Sequence, residues 1–491
     1  MDHNHVAILQ AIAHRVMIER GLEPDFSSAA LAELDRLSNP AQSSAPQISG
    51  GIRDLRSLLW CSIDNDDSLD LDQLTVGEDL PGNSEKIMVA IADVDALVHT
   101  GSAINDHAQK NTTSVYTAAE IFPMLPEKLS TDLTSLNFSA DRISIVVEMI
   151  IAPDGSLTSS TVYRAWVRNK AKLAYNSVAA WLDGSGPMPA AISVVPGLDA
   201  NLRLQDRVAQ QIKDYRESRG ALTLQTLESR PVFDGDQITA LEVEEKNRAK
   251  DLIENFMIAA NGVTARFLSE HKFPSLRRVV RTPKRWERIV EIVQEHGTTL
   301  PGDPDSKSLE NFLVKQKAAD PQRFPDLSLT IIKLLGAGEY SAELPEGHLP
   351  GHFGLAVKDY GHSTAPNRRF PDLITQRLLK AALQSKPVPY TFDELTQLAM
   401  HCTDQEDAAN KVERQVGKSA AALLLESHIG EKFDAFVTGA ADKGTWVRLL
   451  TYPVEGKLVQ GFQGVDVGNR IRVRLDSVDV DKGFIDFSRV N

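Results

Sequence analysis

Apolar residues recur at helical spacing first near the start of the chain, where Val6, Leu9, Ile12, Val16 and Ile18 predict one helix and "SAALAELDRLS" a second. The stretch "SNPAQSSAPQISGG", residues 38–51, has neither a helical nor a strand period and reads as a linker. Strand-like runs follow, "KIMVAIADVDALV" (86–98) and "RISIVVEMIIA" (142–152), and then long helical patterns at 247–270, 371–383 and 407–427. Strands succeeded by helices predict an α+β domain over residues 51–428. From 429 to 491 the pattern changes to about five short alternating strands parted by Gly, Asp and Asn, as in a five-stranded OB barrel. Trp446, Phe462 and Phe484 either offer stacking faces for bases or fill that barrel. The helical unit over residues 1–50 reads equally as a helix-turn-helix or as a packing element.

Composition narrows the class. At 491 residues the chain exceeds a single ordinary core, and 42% hydrophobic with 24% charged residues is the balance of a soluble globular protein. Glu148 interrupts the longest apolar run, far short of the ~20 residues that span a bilayer. The start lacks the features of a secretory signal, so a cytoplasmic location and no membrane partner are expected. Cys61 and Cys402 are too few for a disulfide framework or a four-cysteine zinc site. A net charge of −14 argues against general affinity for nucleic acid. Residues 431–491, however, hold nine basic and nine acidic residues, so the acidity lies upstream and a locally basic groove remains open.

The chemistry concentrates in "SIDNDDSLDLDQL" (62–74), with Asp64, Asp66, Asp67, Asp70 and Asp72 in nine positions. Carboxylates this dense repel, and a bound cation offsets the repulsion. An EF-hand loop beginning at Asp64 needs Gly at its sixth position and Glu at its twelfth, where Leu69 and Thr75 stand. A solvated acidic turn is the alternative, but "LLWCSI" and "QLTV" on either side read as strands and hold the cluster in ordered structure. Mg²⁺, with Mn²⁺ as substitute, suits a few carboxylates completed by water and phosphate oxygens.

Further stretches follow in order: "VAIADV" (89–94), "SVY" and "FPMLPEKLSTDLTSL" (114–136), "NKAKLAYNSV" (169–178), "YRESRGA" (215–221), "ENFMIAAN" (254–261) and "HFGLAVKDYGHSTAPNRRFPDLITQRLL" (352–379). Together with the acidic motif they resemble the ribonuclease II/R (RNB-domain) family, and the terminal barrel is similar to that family's S1-like RNA-binding domain. The resemblance runs from about residue 52 to the end. It implies an RNB catalytic domain that hydrolyses single-stranded RNA from the 3′ end to nucleoside 5′-monophosphates, with Mg²⁺ and no nucleotide cofactor. By the same resemblance Asp64, Asp70 and Asp72 hold the metal, and Arg368 stabilises charge developing on the phosphate. Tyr116 matches the tyrosine that stacks on the last base, Tyr175 one beside the terminal sugar, and Glu254 an acidic residue on the sugar side. Arg369, next to Arg368, is counted with the RNA-binding residues.

Three departures bear on this reading. Gln73 stands where the family usually has a further aspartate, so it can offer the metal an oxygen without a charge. Asn255 follows Glu254 where two adjacent glutamates are common. Only 63 residues precede Asp64, and they read as helical where the family often begins with two cold-shock-type OB domains, which predicts a weaker grip on RNA. Gln73 motivates a rival reading, an RNA-binding protein of the same fold without catalysis, and an acidic metal-dependent phosphatase or endonuclease is a third. Oligomeric state is not written in the sequence; a monomer is the working expectation.

Overall fold

The computed structural model describes residues 4–37, 51–226, 228–244, 246–441 and 444–490. The expected linker over 38–51 lies, apart from Gly51, outside the described residues. Helix α1 (His5–Glu19) is capped by Asn4, whose side chain accepts from the Ala7 N–H, and it buries Leu9, Ile12, Ala13, Val16 and Met17. Helix α2 (Ser28–Leu34) is capped in the same way by Ser27.

The central region is built on a seven-stranded sheet of β1 (Arg53–Asp54), β2 (Cys61–Asp64), β3 (Gln73–Asp79), β4 (Glu85–Ala92), β7 (Asp141–Ile151), β8 (Leu157–Arg168) and β9 (Ala171–Ala174). The strand order is β1-β8-β7-β4-β3-β2-β9, parallel only at the two ends. The intervening β5 (Val115–Tyr116) and β6 (Ile121–Phe122) form a small separate hairpin. The apolar run predicted as strand to residue 98 leaves the sheet after Ala92. Asp93 begins a short 3₁₀ turn there, and helix α3 (Ala103–Asn111) follows.

Helices α4 (Tyr175–Leu182), α5 (Ala190–Ser193), α6 (Leu198–Ser218) and α7 (Arg248–Glu270) come next. Helix α6 lies against β3 because Gly77 leaves room. A Cβ there would stand 2.4 Å from Leu204 Cδ2, and Asn201 both accepts from the Gly77 N–H and donates to its carbonyl. Helix α7 packs against β2, β4, β7 and β8, burying Leu252, Phe256, Ala260 and Val263, so its apolar residues nearly encircle it. Between α6 and α7 the hairpin β10 (Glu228–Asp234) and β11 (Gln237–Glu244) reaches the N-terminus, where the Asn4 amide donates to Asp236.

A ribbon of β12 (Ser275–Val279) and β13 (Glu339–Glu343) brackets three helices, α8 (Trp286–Glu295), α9 (Ser306–Ala319) and α10 (Phe324–Leu335), which share their own apolar cluster. Helix α11 (Phe370–Leu383), with proline in its first turn, is buried along most of its length. Helix α12 (Phe392–Leu425), 34 residues long and opened by a Thr391/Glu394 capping box, extends well beyond the predicted 407–427. Its Val412, Val416 and Ala420 join α1 and the β5–β6 hairpin in one apolar cluster. The N-terminal unit thus packs against the central region through α1.

The C-terminal strands β14 (Lys432–Ala441), β15 (Gly444–Leu449), β16 (Glu455–Gln460), β17 (Arg470–Asp479) and β18 (Phe484–Val490) close into the expected five-stranded barrel, in the order β14-β15-β16-β18-β17. Val447, Leu458, Val473, Leu475 and Phe487 fill it, on alternate positions. Phe462 and Phe484 are exposed and Trp446 is half-buried, so the barrel-filling role falls to Phe487 instead. The barrel is joined to the rest by Arg448–Asp326 at 2.9 Å and by α12, whose Lys418 Cβ would be 2.6 Å from a Cβ placed on Gly483.

Candidate active site

Sheet register assembles the site. Asp64 ends β2 opposite Ala174, so Tyr175, the next residue and the first of α4, emerges at the same edge. Strands β2 and β3 run antiparallel with Cys61 opposite Thr75, which brings the ends at Asp64 and Asp72 back toward each other. The loop between them is tied down rather than free. Asp64 Oδ1 accepts from the Asn65 N–H and the Ser68 hydroxyl, and Leu71 N–H donates to Ser135 Oγ. Asp66 and Asp67, at its tip, are exposed.

Asp72 is 1% exposed. Its Oδ1 accepts from the Asn367 N–H at 2.9 Å, while Oδ2 has no hydrogen-bond donor and lies 3.3 Å from Arg368 Nε. Burial pushes its carboxyl up to about 7 against the pull of Arg368, and neighbouring Asp70 adds to the rise. Asp70 is raised by burial as well, with Arg368 opposing and Asp64 reinforcing. For Arg368 burial works against the charge, but Asp72, Tyr116, Asp64 and Asp70 outweigh it and hold the guanidinium protonated. Tyr116 is 42% exposed overall, yet its hydroxyl reaches Arg368 and Asp70, and burial of that end pushes it up to about 12.

Arg368 and Tyr116 are held by the same piece of backbone. The Arg368 carbonyl accepts from the Ser114 N–H at 3.0 Å and the Thr113 hydroxyl at 3.1 Å, and the Phe370 N–H donates to the Thr112 carbonyl at 2.7 Å. Two residues on, the Tyr116 N–H donates to Glu413 of α12. A cavity of about 260 Å³ opens beside this arrangement, and Gln73, Tyr175, Glu254, Arg368 and Arg369 all line it. Arg369 turns its Nη2 to the buried Asp372 at 2.7 Å, so its charge is already engaged. Glu254, half exposed on α7, is 3.6 Å from Lys246.

All nine residues named from the sequence therefore belong to one neighbourhood: four around Arg368 (Asp64, Asp70, Asp72 and Tyr116), and Gln73, Tyr175, Glu254 and Arg369 with it around the cavity. Missed were Asn367, Thr113, Ser114, Asn261 and Glu413, which act through backbone bonds or through second partners. Asn261 lines the cavity and accepts from both the N–H and the hydroxyl of Ser363. Asn261 and Asn367 lay inside stretches already singled out, but nothing in their spacing marks which polar residue turns inward.

Among the described residues no three His, Cys, Asp or Glu side chains converge closely enough to hold a metal ion by themselves. The donor chemistry fits a hard divalent cation: the Asp72 oxygen that receives no hydrogen bond and pairs only with Arg368, and the half-buried Asp70 and Asp64, supply carboxylates, and Mg²⁺ commonly takes one or two of these and completes its shell with water and phosphate.

A sheet-based domain with a buried aspartate–arginine couple, followed by a closed five-stranded barrel, defines a two-part α+β protein. The RNB-domain profile matches residues 52–385, more than half of the chain, and the RNase II-type exonuclease C-terminal S1 domain profile matches 431–490; the chain belongs to the RNB-domain family. Ribonuclease R of Escherichia coli is 29% identical over 481 residues, covering 91% of this chain and 58% of that protein. The chain thus spans little more than half the length of that relative. Mycoplasma genitalium RNase R in complex with ribose-methylated single-stranded RNA superposes with a TM-score of 0.88 at 24% identity, over 98% of this chain and 78% of that one. Yeast Ssd1, a pseudonuclease, superposes at 0.72 with 14% identity, over 91% and 55%.

Proposed function

We propose that the protein is a cytoplasmic 3′→5′ exoribonuclease that hydrolyses single-stranded RNA to nucleoside 5′-monophosphates, with Mg²⁺ held by Asp64, Asp70 and Asp72 and an oxygen from Gln73. The observation that carries the reading is the buried Asp72 carboxylate paired with Arg368, which itself lines a cavity together with Tyr175 and Glu254. The ion, when bound, supplies an activated water and neutralises charge on the scissile phosphate and the leaving 3′ oxygen. Arg368 contributes a fixed guanidinium for the charge that grows on the phosphate oxygens in the transition state. Its position does not depend on the side chain alone, since Thr113 and Ser114 hold its carbonyl. Tyr116 stacks on the terminal base without regard to sequence, which suits repeated removal of any nucleotide. Tyr175 and Glu254 face the terminal sugar, where a 2′-hydroxyl separates RNA from DNA. Asn367 keeps Asp72 oriented through its N–H.

Gln73 favours a second reading, RNA binding without hydrolysis, because it withdraws one charge from the metal site and stands buried at the cavity. A 5′-labelled RNA incubated in Mg²⁺ or EDTA, beside D72N and a DNA strand of the same sequence, separates the two. A Mg²⁺-dependent ladder receding from the 3′ end, absent with DNA and with D72N, supports the nuclease. Intact RNA that still shifts on a native gel supports the binder.

A further inference from the structure

A second, larger cavity of about 900 Å³ adjoins the cleavage pocket, with Glu254 lining both. Its volume lies within the roughly 300–1,000 Å³ of small-molecule sites. Several cations face it, and most are already paired. Lys213 is 2.6 Å from Asp251, Lys246 is 3.6 Å from Glu254, and Arg248 bonds Asp206 and Asp183. Arg216 differs. Its Nη1 donates to the neutral Asn255 amide at 2.6 Å, its Nε is buried without an acceptor, and among the described residues no carboxylate lies within ion-pair distance of it. Lys317 of α9, 6.0 Å from the Phe324 ring, faces the same space and interacts with Glu310 at longer range, forming no ion pair among the described residues.

Glu254 and Glu217 favour the charge of Arg216 from a distance without bonding it, so its planar fork stays open to phosphate oxygens. On the nuclease reading every turnover releases a dianionic phosphate in the adjoining pocket, beside an aspartate cluster that repels it. We propose that the larger cavity is a chamber for the released nucleoside 5′-monophosphate, with Arg216 and Lys317 receiving the phosphate; this rests on the nuclease reading above. Among its mixed lining of acidic and basic residues, Arg216 and Lys317 are the cations left open to a phosphate. A chamber of this kind binds the phosphate and the nucleoside together, not inorganic phosphate alone.

Equilibrium dialysis of radiolabelled 5′-AMP, adenosine and inorganic phosphate against the full chain, Arg216→Gln and Lys317→Gln tests this. AMP is expected to bind at least tenfold tighter than adenosine or inorganic phosphate, to weaken at least tenfold in R216Q, and to weaken at least threefold in K317Q. Lys317 is exposed, so its variant carries the test if R216Q fails to fold. AMP binding that is equal in wild type and both folded variants, or inorganic phosphate binding as tightly as AMP, overturns the proposal. RNA digestion on the same samples keeps the two readings apart. Digestion by wild type with variant-independent AMP binding removes the chamber and leaves the nuclease, whereas variant-dependent AMP binding without digestion removes the nuclease and leaves a nucleotide site.

Discussion

Replacing Asp72 by asparagine should stabilise the metal-free protein while abolishing hydrolysis. The folded state raises this carboxyl to about 7 from an ordinary value of ~3.9. Below ~3.9 the group is neutral in both states. As pH rises from there to about 7 the unfolded chain releases a proton that the native chain keeps, so stability falls through that window and the full cost is present above it. At ~1.36 kcal/mol for each pH unit, the cost reaches roughly 4 kcal/mol at pH 8 and only about 1.5 kcal/mol at pH 5. Asparagine retains an oxygen for the Asn367 N–H and carries no charge, so it avoids most of that cost. Thermal unfolding in EDTA should show D72N melting a few degrees above wild type at pH 8, with the gap narrowing by more than half at pH 5. Added Mg²⁺ should then raise the wild-type midpoint and leave D72N nearly unchanged. A D72N protein that melts lower than wild type at pH 8, or an offset equal at both pH values, would refute the premise that Asp72 is an ionised group held at a cost.

Arg368→Ala should lower the single-turnover rate by about 10²–10³ with little change in RNA affinity, and Arg368→Lys should recover only part of it; wild-type rates in either would sink the assigned role. In a D72N background, Tyr116→Ala should weaken single-stranded RNA binding by roughly 5- to 150-fold, the equivalent of ~1–3 kcal/mol, with Tyr116→Phe much milder by fluorescence anisotropy. Gln73→Asp should reduce the Mg²⁺ concentration for half-maximal activity by roughly tenfold; an unchanged titration would place Gln73 outside the metal's reach. Met17, fully buried on α1, shares its cluster with the hairpin that carries Tyr116, so Met17→Ala should cost roughly 2–5 kcal/mol in that unit and also weaken RNA binding, read by limited proteolysis and anisotropy together.

The fold was legible where one period dominates. Strand β7 and helix α7 lie within a residue of their predicted bounds because each buries one continuous apolar pattern. Helix α12 was read at only its C-terminal part, since "FDELTQLAMHCTDQED" mixes polar residues into a helix sustained by its capping box and by packing at Leu395, Ala399 and Cys402. The site residues were legible as types, for charge and aromaticity show in a sequence. What remained hidden was the mutual arrangement: that Thr113, 255 positions earlier in the chain, and its neighbour Ser114 grip Arg368 is a fact of tertiary hydrogen bonds, to which no local pattern points. Arg369 is the instructive neighbour. Sequence puts it beside Arg368 as an equal, and only the buried Asp372 separates a guanidinium engaged within the fold from the one beside Asp72.

Helix α12 has a mechanical meaning apart from its packing. Thirty-four residues at ~1.5 Å each make a strut roughly 50 Å long, touching α1 and the Tyr116 hairpin as well as strands of the barrel. Swinging the barrel on the sheet-based body therefore requires bending that strut or breaking its close approach at Gly483. The spacing between the two parts is thus set by the length of one continuous helix.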